Sequence, residues 1–468
     1  IYELIEIIWN TEEMPIEWQR AIICPIYKKG DKLQCCNYRG ISLLNVGYKV
    51  LTCLIHKRLV PYVENKVEDY QNGFRRGRSV TDNLFILRQS IEKCYEFGID
   101  LHLLFIDYKQ AYDSVSRDYL LEILKEFRIP NKLINLVRMT LKTSNCKVKI
   151  LGKLSESFNV KAGLRQGDAL STILFNCVLE KTIRNIEINK NGTIFNRSMQ
   201  YLAYADDLVI CGRSVKAVEE ALIQLKQGAK ETGLIINVNK TKYMKISRAG
   251  TESNPNKEIV LDGQKFGKVE NFKYLGSLIT AKNEISMEIR ARIAAGNRCF
   301  YSLKQIFKSR TMSRVAKIKT YKTILKPVVM FGSETWVISE RDKFALNAWE
   351  RKILRKVYGP IQERNTWRIR TNQELRELYR DPDIVGDIKR KRLEWIGHVL
   401  RMERGRTARR ILEEKPEGRR KVGRQRLRWL DGVEEDLRLL RVKRWRQKAM
   451  NREEWAVVLK EAKVLRGP

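Results

Sequence analysis

The sequence lacks the features that mark membrane proteins, disulfide-stabilised domains and zinc modules. No segment approaches the ~18 consecutive apolar residues of a membrane-spanning helix, and no secretory signal is visible. The nine cysteines form no C-x-x-C pair and only three histidines are present, so we expect neither a disulfide framework nor a structural zinc site. These absences predict a protein of a reducing compartment that does not attach to membranes.

Acidic residues are few in comparison with basic ones. The sequence has 55 Asp and Glu against 91 Lys and Arg, a net charge of +36. Such a chain repels itself unless a polyanion neutralises it, so nucleic acid is the natural partner. Residues 1–280 carry a net charge of +11 and residues 281–468 one of +25, which makes the C-terminal part the stronger candidate for polyanion binding.

The length and the apolar content predict more than one core. With 468 residues, of which 43% are apolar, the chain is expected to form about two to four subdomains. The chain begins at Ile1 and not at Met, so we expect a fragment of a longer polypeptide.

Two adjacent carboxylates, Asp206 and Asp207, lie between apolar, strand-like flanks in residues 199–211. This pattern predicts a β-hairpin with two negative charges at its tip. An isolated Asp-Asp pair is usually a solvated turn, so a metal-binding interpretation needs a further carboxylate. Asp107 can supply it, because it ends an apolar strand over residues 101–107 and would lie at the sheet edge.

The order of the predicted elements brings these carboxylates together. From residue 101 onward the pattern is strand, helices, strand hairpin, helix and two short strands over residues 234–238 and 243–246. This is the split β-α-β layout of a ferredoxin-like sheet. Carboxylates at one edge of such a sheet suit two Mg²⁺ ions ~4 Å apart, which activate a 3′-hydroxyl and stabilise a departing pyrophosphate. Mn²⁺ could replace Mg²⁺ there.

A predicted hairpin near the start of the chain carries positive charge. Residues 22–43 predict two strands joined by a turn, which would place Lys28, Lys29 and Arg39 on one cationic flap. Solvated surface charge explains these three residues equally well. Gln166 precedes a long apolar helix, where a helix-initiating polar residue is by itself the simpler interpretation.

Two further segments combine glycine with basic residues. Residues 73–79 form a glycine-spaced basic loop, after which Thr81 or Asp82 would cap a helix. Residues 415–426 lack apolar spacing and predict an exposed basic loop. Both loops suit the phosphates of a nucleic-acid backbone.

Seven segments between residues 20 and 280 resemble, in the same order, the motifs of reverse transcriptases from non-LTR (LINE-like) retrotransposons. They are N-Y-R-G-I-S-L-L, N-G-F-R-R-G-R-S, F-I-D-Y-K-Q-A-Y-D-S-V, G-L-R-Q-G-D-A-L-S, Y-A-D-D, I-N-V-N-K-T-K and F-K-Y-L-G. One Y-A-D-D match would be weak, whereas seven motifs in family order are highly specific. The resemblance implies an RNA-directed DNA polymerase that copies element RNA into cDNA by two-metal nucleotidyl transfer, primed at the DNA target site.

The resemblance also implies roles for individual residues. Asp107 and Asp206 would hold both metal ions, Asp207 would support them, and the carbonyl of Tyr108 would complete the ligand shell. Tyr112 would be the steric gate beneath the sugar that excludes a 2′-hydroxyl. An RNA-directed RNA polymerase, which shares the metal chemistry, is opposed by this gate.

The remaining substrate contacts follow from the same motifs. The incoming nucleotide and its triphosphate would be bound by Gln166, Lys28, Lys29 and Arg39. Lys240, in preference to Lys242, would protonate the pyrophosphate. The predicted contacts with template and primer are Arg75, Arg76, Arg78, Tyr274, Gly276, Arg419, Arg420, Arg424 and Arg426.

The family architecture implies an α+β right-hand polymerase with a ferredoxin-like palm. Fingers would occupy residues 1–100, the palm with a primer-grip-like strand 101–280, a helical thumb 281–345, and a basic helical extension that binds nucleic acid 346–468. The chain shows neither the N-terminal endonuclease domain of such elements nor the C-terminal Cys/His knuckle of some relatives.

The implied partners are template RNA, primer DNA at the target site, and dNTPs. Target-primed synthesis would take place in the nucleus, with assembly of a ribonucleoprotein in the cytoplasm. The alternative is a decayed or domesticated element remnant that only binds RNA or DNA.

Overall fold

The computed structural model describes residues 1–142, 145–184, 200–248, 257–420 and 427–464. Its strands are β1 (Arg20–Tyr27), β2 (Tyr38–Leu43), β3 (Leu101–Ile106), β4 (Asn145–Ile150), β5 (Lys153–Leu154), β6 (Phe158–Asn159), β7 (Tyr201–Tyr204), β8 (Asp207–Gly212), β9 (Lys242–Ile246), β10 (Glu258–Leu261), β11 (Gln264–Lys268), β12 (Asn271–Tyr274), β13 (Ser277–Thr280), β14 (Ile361–Glu363) and β15 (Thr366–Arg368).

Its helices are α1 (Tyr2–Thr11), α2 (Ile16–Gln19), α3 (Val46–Glu64), α4 (Val80–Phe97), α5 (Ala111–Ser114), α6 (Arg117–Glu126), α7 (Asn131–Lys142), α8 (Ala169–Arg184), α9 (Val215–Thr232), α10 (Ile285–Ser302), α11 (Lys304–Lys308), α12 (Arg314–Thr320), α13 (Lys326–Met330), α14 (Glu340–Tyr358), α15 (Asn372–Tyr379), α16 (Ile384–Leu400), α17 (Thr407–Glu413), α18 (Trp429–Leu439), α19 (Trp445–Met450) and α20 (Arg452–Glu461). Among these helices, none combines the length and the apolar character that a membrane crossing requires.

Two compact units divide the chain. The first comprises Ile1–Val80, His102–Tyr243 and Asn256–Lys268, and the second comprises Thr81–Leu101, Met244–Pro255 and Val269–Pro468. Sheets and helices are both abundant, which confirms the predicted α+β class.

The main sheet of the first unit has the strand order β10-β11-β9-β3-β8-β7. Strands β9, β3, β8 and β7, with the helices between them in sequence, form the split β-α-β layout that the sequence predicts. Strand β3 pairs antiparallel with β8, and Ile106 lies opposite Leu208 at its end. All six residues of β3 are buried, which explains why its sequence is an almost continuous apolar run.

A second sheet in this unit carries the predicted hairpin of residues 22–43. Its order is β2-β1-β4-β5, with β6 paired to β4. Strands β1 and β2 are antiparallel with Ile26 opposite Arg39, whereas β1 and β4 run parallel. The hairpin prediction is confirmed.

One continuous apolar core supports both sheets of the first unit. Fully buried members come from different elements: Leu51 from α3, Leu104 from β3, Phe175 from α8 and Leu222 from α9. Helix α8 packs against α3 and α9. The elements that carry the predicted site therefore share one hydrophobic core.

The second unit is mainly helical. The hairpins β12–β13 and β14–β15 accompany its helices, and Trp336, Trp349 and Leu346 belong to its apolar core. Within this core the buried Lys326 ammonium lies 3.5 Å from Glu350 and 2.5 Å from Asp387. Such a buried charge is tolerated because it is paired.

Three local predictions differ from the structure. Residues 234–238 do not form a strand, since only an isolated bridge joins Ile236 to Tyr108. Helix α4 already includes Thr81 and Asp82 in its first turn, so neither caps it. The hairpins β10–β11 and β14–β15 were not predicted, because their strands of three to five residues are too short to show a clear alternation.

Candidate active site

Asp107 is the first residue after the central strand β3, and both its backbone N–H and its carbonyl are hydrogen-bonded. The Asp107 N–H donates to Thr241 Oγ1 at 3.2 Å, and the Asp107 carbonyl accepts from the Asn237 N–H at 2.7 Å. Thr241 is fully buried. Thr241 is not among the predicted site residues, although it lies inside the I-N-V-N-K-T-K motif, because its partner is 134 positions away.

Asp206 and Asp207 lie at the tip of the hairpin β7–β8, but they occupy different positions in it. Tyr204 and Asp207 form the closing pair of the strands, so the two-residue turn is Ala205–Asp206 and not Asp206–Asp207. Ala205 has a φ of +55°, at a position where hairpin turns often place glycine. Asp206 is half-buried and Asp207 exposed.

The electrostatic environment shows which charges lie around these carboxylates. Burial raises the pKa of Asp206, and Asp107 adds to the shift, while Arg39 and Lys28 oppose it. Although the Asp207 side chain reaches solvent, partial desolvation at the hairpin tip, together with the charges of Asp206 and Asp107, raises its pKa to about 6. The carboxylates therefore repel one another, and the cations of the β1–β2 hairpin only partly compensate.

One carboxylate oxygen at this site has no hydrogen-bond partner in the described part of the chain. It is Oδ2 of Asp107, which is buried and lies 3.8 Å from the Lys240 ammonium. An unpartnered buried carboxylate oxygen beside a second carboxylate is suited to a divalent cation, which prefers hard oxygen ligands. Within the described residues no group of three or more His, Cys, Asp and Glu side chains is assembled to hold a metal, so Asp107, Asp206 and Asp207 do not form a ready three-carboxylate cluster.

The β1–β2 hairpin supplies the positive side of the site. Lys28, Lys29 and Arg39 are exposed, and the Lys28 N–H donates to the Asn37 carbonyl at 2.9 Å across the hairpin. Partial desolvation lowers the pKa of the Lys28 ammonium, as do Arg39 and Lys240, while Asp107 opposes this shift. Lys28 and Arg39 thus lie within electrostatic range of the carboxylates.

Tyr112 and Gln166 are each tied to a neighbouring element of the same unit. The Tyr112 ring stacks on Phe175 of α8 with centroids 4.6 Å apart, and its hydroxyl has no hydrogen-bond partner among the described residues. The carbonyl of Gln166 accepts from the Ser42 N–H of β2 at 2.9 Å. Tyr108 has a buried side chain, so only its backbone could serve a metal ion.

Two of the three arginines of the 73–79 loop are engaged within the protein. Arg75 lies 2.8 Å from a Glu64 oxygen with a side chain only 6% exposed, and Arg78 lies 2.6 Å from Asp69 with a side chain 8% exposed. Their guanidinium groups hold the loop in shape, and their binding to nucleic acid remains a prediction. Arg76 is exposed.

The second unit holds the other predicted nucleic-acid contacts. Tyr274 is buried and its hydroxyl accepts from Asn83 Nδ2 at 3.0 Å, so its side chain is engaged within the unit, and its contact with nucleic acid remains a prediction. Gly276 follows it in the β12–β13 turn with a φ of +82°. Arg419 is exposed, and Arg420 lies 2.9 Å from Glu96. Arg424 and Arg426 lie outside the described residues.

Comparison with known proteins identifies the family. A family model described as reverse transcriptase (RNA-dependent DNA polymerase) matches residues 26–279, more than half of the chain. The chain is 27% identical over 212 residues to the transposon TX1 uncharacterized 149 kDa protein of Xenopus laevis, covering 45% of this chain and 16% of that protein. It is 24% identical over 353 residues to a probable RNA-directed DNA polymerase from transposon BS of Drosophila melanogaster, covering 72% of this chain and 38% of that protein.

A solved structure of telomerase from Candida tropicalis in complex with a fragment of telomeric RNA is 12% identical, with a TM-score of 0.45. That match covers 98% of this chain and 68% of the telomerase chain. The chain spans well under half of the length of the two transposon proteins. From the ordered motifs, the family match and the transposon relatives it follows that this chain belongs to the reverse transcriptase (RNA-dependent DNA polymerase) family, in its non-LTR retrotransposon branch.

Proposed function

We propose that this chain is the polymerase part of a non-LTR retrotransposon protein and synthesises DNA on an RNA template. Its substrates are dNTPs, its template is the element's RNA, and its primer is DNA at the insertion site. Such synthesis on chromosomal DNA takes place in the nucleus, after assembly with RNA in the cytoplasm. The transposon relatives and the family match support this assignment.

One observation supports a specific chemical mechanism for this function. The buried Oδ2 of Asp107 lacks a hydrogen-bond partner among the described residues and lies beside a second carboxylate, Asp206, under the influence of three cations. Reverse transcriptases of this family use divalent metal ions, and we propose two Mg²⁺ ions held by Asp107 and Asp206, with Asp207 and the Tyr108 carbonyl in support. Mn²⁺ would serve in their place.

The reaction joins the primer 3′-oxygen, after its proton is lost to water, to the α-phosphorus of a dNTP. The bond between this phosphorus and the oxygen bridging to the β-phosphate breaks, which releases pyrophosphate. When bound, the metal ions supply activation of the 3′-hydroxyl and neutralise negative charge on the phosphates. Lys28, Lys29 and Arg39 bind the triphosphate, Arg39 through a planar fork and the lysines as point charges. Lys240 donates a proton from Nζ to the departing pyrophosphate oxygen.

Two residues select and orient the nucleotide. The Tyr112 ring is held against Phe175, and we propose that it excludes a sugar that carries a 2′-hydroxyl. Gln166 stands at the loop that is bonded to β2 and lines the same nucleotide.

We assign the regions of the chain to the parts of a right-hand polymerase. Fingers occupy residues 1–100, the palm 101–280, the thumb 281–345, and the basic extension 346–468. The net charge of +25 after residue 280 supports binding of the template–primer duplex by the last two regions.

Primer extension tests the proposed function. The protein with Mg²⁺, a DNA primer on an RNA template and dNTPs is expected to add nucleotides. Asp206→Ala is expected to abolish addition while duplex affinity stays within about twofold, because a negatively charged carboxylate does not attract duplex phosphates. Equal extension by wild type and Asp206→Ala would contradict the site assignment.

A second outcome separates the two candidate functions. Duplex binding without any extension by wild type, in Mg²⁺ and in Mn²⁺, would favour the remnant that only binds RNA or DNA. Extension with ribonucleotides in preference to dNTPs would instead indicate an RNA polymerase.

A further inference from the structure

The tip of the β7–β8 hairpin is held by a side chain from a distant part of the chain. Gln71 bonds both backbone groups of Ala205: Oε1 accepts from the Ala205 N–H at 2.9 Å, and Nε2 donates to the Ala205 carbonyl at 3.3 Å. The same Oε1 accepts from the Gly73 N–H at 2.7 Å. Gln71 is 1% exposed, so water does not compete for these bonds.

The backbone around Gln71 runs along the edge of the hairpin. Strand β7 ends the sheet order among the described strands. The Ala203 N–H donates to the Tyr70 carbonyl at 2.8 Å, and the Asn72 N–H donates to the Ala203 carbonyl at 2.9 Å. Residue 73 is glycine because a Cβ there would collide with the Ala205 backbone nitrogen. The segment of residues 70–73 is therefore fitted closely against the hairpin tip.

Helix α8 holds this segment in place. The Glu180 carboxylate accepts from the Tyr70 hydroxyl at 2.7 Å and from the Glu68 N–H at 3.0 Å, and Asn176 Nδ2 donates to the Gly73 carbonyl at 2.9 Å. Glu180 and Asn176 are both buried. Because the anchors are buried and hydrogen-bonded, Gln71 is presented to the hairpin from a rigid support.

Ala205 needs such a restraint. Its φ of +55° lies in the left-handed region, which side chains other than glycine rarely adopt without supporting contacts. Ala205 directly precedes Asp206, so any relaxation of this torsion would move the Asp206 carboxylate.

We propose that Gln71 is a positioning residue, which holds the hairpin tip in the conformation that keeps Asp206 beside Asp107 and so sets the affinity of this carboxylate pair for a divalent cation. The effect on nucleotide addition rests on the proposed polymerase function, whereas the effect on cation binding does not.

The test compares two buried glutamines of the same unit. Gln71→Met removes both bonds to Ala205 at nearly constant volume. Gln200→Met is the matched control, since Gln200 is also buried but donates to the Ala217 carbonyl at 3.4 Å, away from the tip. Binding of Mn²⁺ to the full chain is measured by electron paramagnetic resonance without nucleic acid, and Asp206→Ala identifies the part of the signal that belongs to the site.

Gln71→Met is expected to weaken site-specific Mn²⁺ binding about tenfold or more, as for other groups that orient metal ligands. The rate of single-nucleotide addition should fall in parallel, while Gln200→Met should retain wild-type Mn²⁺ binding. Unchanged Mn²⁺ affinity in Gln71→Met, or an equal loss in Gln200→Met, would overturn the proposal.

A shorter amide provides a second variant in case Gln71→Met does not fold. Gln71→Asn keeps the chemistry but is one methylene too short to reach Ala205, and the same loss of Mn²⁺ affinity is expected; wild-type affinity in folded Gln71→Asn would overturn the proposal. If wild type adds no nucleotides, the polymerase function fails, and the Mn²⁺ titrations still decide the role of Gln71.

Discussion

The Lys240 ammonium lies 3.8 Å from Oδ2 of Asp107, the buried carboxylate oxygen that has no hydrogen-bond partner among the described residues. Lys242, two positions later, instead donates to the carbonyl of Asn239 in its own turn at 2.8 Å. The motif resemblance favours Lys240 over Lys242 as the proton donor, and the geometry supplies a physical difference between them. Lys240 lies beside the Asp107 carboxylate, whereas Lys242 is bonded within its own turn.

Exchange of each lysine for alanine should separate their roles. Lys240→Ala is expected to lower the single-turnover rate of nucleotide addition about 100-fold, the usual effect of losing a general acid. Lys242→Ala, the matched control, should leave the rate nearly unchanged because its ammonium already has a local acceptor. Comparable losses in both variants, measured by rapid quench, would remove the assignment to Lys240.

Sugar selection should depend on the ring of Tyr112 and not on its hydroxyl. Tyr112→Ala is expected to admit ribonucleotides, because the ring that stacks on Phe175 is lost. Tyr112→Phe should keep wild-type selectivity, since the hydroxyl has no partner among the described residues. The measurement is the ratio of kcat/KM for dNTP and rNTP. Unchanged selectivity in Tyr112→Ala would exclude Tyr112 as the gate.

Arg75 and Arg76 are neighbours with opposite expected effects. Arg75 bonds Glu64 and the carbonyls of Glu68 and Gln71, so Arg75→Ala should lower the free energy of unfolding by about 1–3 kcal/mol. Arg76 is exposed, so Arg76→Ala should leave stability unchanged, weaken duplex binding and reduce its salt dependence by about one counterion. Denaturant unfolding and binding titrations at several salt concentrations test both. A loss of stability in Arg76→Ala would contradict the proposal that Arg75 stabilises the fold while Arg76 binds nucleic acid.

The metal-free protein should become less stable as the pH rises through the range in which Asp207 titrates. Its folded pKa is about 6 against an ordinary value of 3.8, so the unfolded chain releases this proton first. The resulting loss in the free energy of unfolding is absent below about pH 4, grows up to about pH 6 and stays constant above about pH 6. Asp207→Asn removes this loss.

Thermal unfolding in EDTA at a series of pH values measures this effect. Asp207→Asn should have a higher Tm than wild type above pH 6, and the difference should vanish towards pH 4. A difference that is the same at every pH would show that the change arises from packing and not from titration.

The sequence by itself determined the family, the order of the motifs and the type of most elements. Alternating or continuous apolar runs and turn residues report local structure, which is why the hairpin of residues 22–43 and the strand before Asp107 were predicted. Apolar content alone does not guarantee a strand. Residues 234–238 are apolar enough for one but form only a single bridge, between Ile236 and Tyr108.

Only the tertiary structure decided which side chains are free to meet a substrate. Arg75 and Tyr274 fit their motifs, yet both are engaged by partners within their own units. Thr241 and Gln71 support Asp107 and Ala205 from 134 positions away. Sequence patterns report neighbours along the chain, whereas these hydrogen bonds exist only because packing of the core brings distant segments together.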